Sequence, residues 1–336
     1  MKRSITAGFP SPTWQKPNHT HFKMSATTIP ATRSQIILAL LAVYFIWGST
    51  YLFIHFATET MPPLLMMGIR NFIAGGVLYL FARFRPGGSV PTVNHWKSAI
   101  LLGFLLLVIA NGGMALALRT IPSGIGALLV AMLPIWIVLL NWFAFSRQRP
   151  NLPVTAGLLL GTIGLVVLVG PGKFSSGAPL NWVGVAIIMV GVVSWGLGTL
   201  LAPKLPLHPS QLQATAMQMF AGGVVLLVCS FIYEQPSLDV WAQFTPKAGW
   251  SLLYLIVIGS WIGFTAYAWL AQNAPPHITA TYAYVNPVVA MGLGWAFGGE
   301  KLGGQSVLAA AIILSGVVLI TSQKRLRKEP AGTVKS

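Results

Sequence analysis

Charge is scarce in this chain. Only 8% of its 336 residues are Asp, Glu, Lys or Arg, where soluble domains carry about 25%. Acids are rarest, with five in the whole sequence, and none lies in the middle of an apolar run. A soluble globular domain is excluded on these grounds, and so is a proton relay built on an intramembrane carboxylate. Cysteine is nearly absent. Cys229 alone rules out an intrachain disulfide and reads as a packed small hydrophobe. Catalytic patterns are missing as well. There is no His-Glu-x-x-His and no Gly-x-Ser-x-Gly, and Pro171-Gly172-Lys173 lacks the surroundings of a nucleotide loop. Neither an enzyme nor a bound cofactor or metal is expected. His19 and His21 read as solvated tail residues rather than ligands.

Apolar residues are what the chain has. They make up 55% of it, and the mean hydropathy is +0.72. A membrane helix needs about 20 mostly apolar residues. Ten runs qualify, roughly 36–57, 64–82, 98–118, 124–145, 152–170, 183–201, 212–232, 250–271, 278–299 and 303–322. They are too long and too evenly apolar for barrel strands, and backbone groups in lipid must be satisfied within the segment. The expected partner is therefore the lipid bilayer. The net charge of +16 would suggest nucleic acid in a soluble protein, but here it sits mostly in loops and tails, so no nucleic-acid partner is expected.

The basic residues set an orientation. With the N-terminus in the cytoplasm, 16 Lys and Arg fall inside and four outside, leaving Arg70 within a span. Ten of the 16 belong to the tails, so the internal loops alone favour this arrangement by six to four. Both termini are expected in the cytoplasm. Residues 1–35, polar and holding Pro10, Pro12, Pro17 and Pro30, read as a disordered tail, with Met24 as an alternative start. Residues 323–336 read as a basic tail.

The runs repeat. Ala74-Gly75-Gly76-Val77 returns as Ala221-Gly222-Gly223-Val224, and Trp47-Gly48 as Trp195-Gly196. Pro122 and Pro134 are spaced like Pro275 and Pro287, and Gly164 to Leu168 resembles Gly316 to Ile320. Each half then holds five spans. An odd number inverts the second half against the first, a frequent transporter plan with its site at the interface. The fold expected is an all-α integral membrane protein of ten transmembrane helices, arranged as two inverted five-helix repeats over 36–170 and 183–322.

Several polar and aromatic positions are candidates for a substrate site. Arg70 is costly inside a span, so it either lines a cavity facing a substrate carboxylate or snorkels toward helix-end carbonyls. Trp47 and Trp195 lie too deep for interfacial anchors, and Ser49, Thr50 and Thr199 follow them with hydroxyls. Thr279, Tyr282 and Asn286 share one helix face beside Pro287, whose repeat counterpart is Pro134. Asn111 with Met114, and Ser260 with Phe264 and Tyr267, add further polar, aromatic and thioether surface. Ordinary bundle packing competes with cavity lining at each of these. Asn71 and Gln218 suit interhelical hydrogen bonds. Gly157, Gly161 and Gly164 suit close packing within the chain more than dimerisation, giving a monomer or a weak homodimer.

Trp47-Gly48-Ser49-Thr50-Tyr51, Trp195-Gly196-Leu197-Gly198-Thr199, the proline-bearing fourth and ninth spans and Glu300 resemble the EamA-type, ten-span branch of the drug/metabolite transporter superfamily. The resemblance runs from about Ile36 to Ser322 and departs near Arg147, where many members carry an acid. It implies an exporter or permease of small metabolites, such as amino acids or drugs, in a bacterial cytoplasmic membrane. The alternatives are a multipass membrane enzyme and a structural or receptor protein.

Overall fold

A computed structural model describes residues 31–85, 88–117, 120, 126, 129–169, 181–237, 239, 244–298 and 303–321. The tail before Ala31, Pro122, Arg119, Lys173, Glu300, Lys301 and the residues after Thr321 lie outside it. The described residues form helices and no strand. In chain order these are α1 (Arg33–Thr58), α2 (Pro63–Phe84), α3 (Val93–Ala117), α4 (Leu129–Phe145), α5 (Leu152–Val169), α6 (Trp182–Leu201), α7 (Gln211–Tyr233), α8 (Pro246–Asn273), α9 (Tyr282–Gly298) and α10 (Gly304–Thr321). Six of them (α1, α2, α3, α6, α7 and α8) are long and apolar enough to cross a bilayer, and α4, α5 and α10 contain shorter apolar helices.

Helix starts follow local chemistry. Thr92 and His95 form a capping box at α3, and Asn181, Ser210 and Thr245 cap α6, α7 and α8 with side-chain oxygens. Pro63 and Pro246 sit in the first turns of α2 and α8, where no N–H is needed. Pro62 does not cap α2, and the cap comes from elsewhere in the chain. The Glu234 carboxylate accepts the Leu64 and Leu65 amides at 2.9 Å each, matching an anion to the positive helix end.

The two halves interlock rather than sit side by side. α2 packs along α7 and α5 along α10. Several other contacts come in exchanged pairs. α1 packs on α9 as α6 packs on α4, α3 meets α7 as α8 meets α2, and α1 meets α8 as α6 meets α3. Glycines set the closest approaches. A Cβ on Gly75 would lie 2.2 Å from the Phe220 nitrogen, and one on Gly223 would lie 2.3 Å from the Phe72 nitrogen. These reciprocal partners are 148 residues apart, like Trp47 and Trp195, and one more than the AGGV match suggests. Gly157 and Gly316 face each other's carbonyls in the same way between α5 and α10. The small-residue face of α5 thus packs within the chain.

Two features break regularity at matching places. The middle of α3 (Phe104–Gly112) and of α8 (Leu255–Phe264) is π-helical. A turn at Ala131–Met132 interrupts α4, and one at Ala280–Thr281 separates α9 from a helical turn at Pro276–Thr279. The single ninth span expected from sequence therefore begins as two pieces. Pro275 and Pro276 start one turn, and the i+3 bonds of Thr281, Ala283 and Tyr284 reset the chain before Tyr282.

The bundle has two distinct ends. At one, Lys247 pairs with Glu59 at 2.9 Å and Glu234 caps α2. At the other, Ser89 bonds the His208 ring at 2.9 Å, Gln213 donates to the Ser89 carbonyl, and Lys204 lies over the Phe145 ring. Burial, and behind it the neighbouring His95, hold His208 below the usual histidine pKa of 6.5. The outer faces stay apolar, with Leu38, Phe45, Phe81 and Val190 all exposed, as a lipid-facing surface requires.

Candidate functional site

A cavity opens between the halves, enclosing about 870 Å³ of atom-free space that includes the part continuous with solvent. The first half contributes α1, α2, α3 and α4 to its wall, and the second half α6, α8 and α9. On α1 and α3 the lining residues sit toward the C-terminal end, and on α2 toward the N-terminal end. The cavity thus belongs to the end of the bundle that carries Glu59 and Glu234. Both π-helical segments contribute to it, with Leu107, Ala110 and Asn111 from α3 and Ser260 and Phe264 from α8. Each segment also receives a side-chain hydrogen bond from the first helix of the other half. Trp47 Nε1 donates to the Gly259 carbonyl and Ser194 Oγ to the Leu105 carbonyl. π-helical turns are rare and concentrate at functional sites.

Arg70 is the one charged side chain among the described lining residues. Only 8% of it is exposed. Its Nε donates to Ser260 Oγ at 2.8 Å, and among the described residues it has no carboxylate partner. Among the described residues the guanidinium bonds Ser260 rather than helix-end carbonyls. Asn71, one residue on, turns back and donates to the Met67 carbonyl at 2.8 Å. Asn286 lines the cavity from α9, 3% exposed, and among the described residues its buried Oδ1 has no hydrogen-bond partner. A buried acceptor left open is costly unless something else fills it.

An aromatic cluster closes the far side. Trp47 and Trp195, equivalent positions of the two halves, meet edge to face at 5.7 Å between ring centroids. Tyr267 packs 5.0 Å from Trp47 and 5.2 Å from Trp195, and Tyr282 lies 4.9 Å from Trp47. The Tyr267 hydroxyl is tied to Thr199, whose own hydroxyl donates to the Trp195 carbonyl. Beyond this layer Tyr44 bonds Thr281 at 2.5 Å.

Ten of the candidate positions come together on the cavity wall: Trp47, Thr50, Arg70, Asn111, Met114, Trp195, Ser260, Phe264, Tyr282 and Asn286. Five do not line it. Ser49 faces α8, where its hydroxyl pairs with Tyr254 at 2.7 Å. Thr199 and Tyr267 stand behind the tryptophan pair and fix its position. Pro134 is buried beside Leu133, which lines the cavity in its place. Thr279 is occupied with the Leu270 and Pro275 carbonyls. Met67, Ile188, Gly191 and Val192 also line the cavity. They carry no signal in sequence because an apolar residue facing a cavity reads like one facing lipid. No cluster of three or more metal-ligating side chains exists among the described residues.

A helical bundle with an apolar exterior and a polar-spotted cavity between interlocked halves defines a multipass membrane protein with an internal cavity. The chain belongs to the EamA-like transporter family, whose pattern matches it twice, over residues 34–170 and 182–322. It is a transporter rather than an enzyme. It is 37% identical to the uncharacterized inner membrane transporter YedA of Escherichia coli, over 86% of this chain and 91% of that one. It is 26% identical to the uncharacterized transporter YoaV of Bacillus subtilis, over 88% and 99%, and 28% identical to the protein PecM of Dickeya dadantii, over 82% and 88%. A solved crystal structure of a protein 21% identical shares the fold, with a TM-score of 0.70 over 87% of this chain and 98% of that chain.

Proposed function

We propose that this protein exports a small metabolite across a bacterial inner membrane by alternating access, with ten spans in two inverted five-helix repeats and both termini cytoplasmic. The observation that carries the reading is the cavity itself. Both repeats build it, and the tryptophan pair that seals it joins equivalent positions of the two halves. The exchanged helix contacts suit a two-fold relation between the repeats. With the termini inside, the end carrying Glu59 and Glu234 is outside. The cavity then faces outward and the aromatic layer is the closed inner gate. The relatives named as transporters support the same function.

Cysteine labelling tests it. In a Cys229→Ser background, Asn111→Cys places a thiol in the cavity wall. A membrane-impermeant thiol reagent added to intact cells is expected to label it and to stop counterflow in proteoliposomes. Labelling only from the cytoplasmic side would reverse the assigned orientation. Full labelling with undiminished counterflow would remove the cavity from the transport path.

A further inference from the structure

Resting on the transporter reading, we propose that the cavity selects net-anionic organic acids, an apolar body bearing one carboxylate and no amine, over amino acids and amines.

The charge inventory of the wall points there. Arg70 is nine-tenths buried, and among the described residues its one hydrogen bond is that from Nε to Ser260 Oγ. That bond uses Nε and leaves the two terminal nitrogens without a partner among the described residues, on a side chain that lines the cavity. A guanidinium presents parallel N–H groups that match one carboxylate. A buried cation without a counter-ion is costly, so an arriving anion recovers part of that cost. One cation balances one negative charge, and a dianionic phosphate would bring a second charge with no partner among the described lining residues.

The same inventory weighs against an amine. An ammonium entering the cavity loses its hydration and needs an anion or several acceptors. No Asp or Glu is present among the described lining residues. The polar side chains that remain, Asn111 and Asn286 among them, are neutral. Such groups suit uncharged donors, such as a hydroxyl or an indole N–H, and give an ammonium no counter-charge. Between the polar side chains the wall is apolar (Ile54, Leu107, Met114, Ile188 and Trp195 among others) and takes the hydrocarbon or aromatic body.

Matched probes test this on the intact purified protein. On phenyl, indole and isobutyl skeletons, the carboxylic acid, the amino acid and the amine are compared for equilibrium binding. The acid of at least one skeleton is expected to bind about tenfold more tightly than its amino acid and its amine. Arg70→Gln is expected to shrink that preference to about threefold or less, with Arg70→Lys retaining part of it. Should the Arg70 variants fail to fold, Asn111→Cys in the Cys229→Ser background gives the same answer without them. The acids then slow thiol labelling and the amines do not. Amino acids binding as well as the acids, no acid binding, or a preference unaffected by Arg70→Gln would each overturn the proposal. Counterflow of the same probes separates the two readings. Selective binding without any counterflow refutes transport and leaves the anion site standing, whereas counterflow of amino acids in preference to acids refutes the anion site and leaves transport standing.

Discussion

Trp47 and Trp195 see nearly the same surroundings from opposite halves. Each packs on the other and on Tyr267, and each lines the cavity. Aromatic contacts of this kind are worth about 0.5–1.5 kcal/mol each beyond their buried area. Trp47→Ala or Trp195→Ala should therefore weaken apparent affinity for a bulky apolar substrate roughly two- to tenfold while smaller ones are still carried, as KM values across a substrate series would reveal. Unchanged KM values in both variants would assign the pair to packing alone. The tryptophans and Arg70 were legible in the sequence because each is out of place in a lipid-facing helix. Tyr267 and Thr199 were legible as polar groups but not as a supporting layer, since only tertiary contact brings Thr199 to the tyrosine hydroxyl. Ser49 was drawn in by its neighbour Trp47, yet its helix position turns it toward Tyr254.

Helices in this bundle meet through what they omit. At the α2–α7 crossing Gly75 and Gly223 let main chain touch main chain, so an added methyl group meets backbone that no rotamer change can move. Overpacking of this kind costs about 1–3 kcal/mol. Gly75→Ala or Gly223→Ala should lower the melting temperature of the detergent-solubilised protein by several degrees. Gly292→Ala, with nothing within 4 Å of its Cβ position, should not. Equal melting temperatures for all three would show that the crossing tolerates separation. The duplicated AGGV announced these helices as a matched pair, but the working register is one residue away from the motif match. The π-helical segments and the breaks before Leu133 and Tyr282 left no comparable trace. They arise from how bonds are shared between i+3, i+4 and i+5 partners, which depends on the packed neighbours more than on local residue preference. Glu234 likewise reads as a loop acid in sequence, and only the fold shows it capping a helix 170 residues away.

Across the whole molecule, the shortage of acids shapes the mechanism. With no Asp or Glu among the described lining residues, nothing of that kind can carry a proton with the substrate. Counterflow in proteoliposomes should stay unchanged when a pH gradient is collapsed, and strict dependence on the gradient would contradict this. The interlocking of the halves could not be read from hydropathy, because span counting gives order along the chain and says nothing about which spans touch. The glycine crossing also bears on how such a protein can change over generations. Its geometry is set by main-chain atoms that every sequence shares, so side chains around the cavity are free to be exchanged without moving the axis on which the two halves meet. A scaffold anchored in this way lets new cargo specificities arise from a few wall substitutions while the frame that holds them is inherited intact.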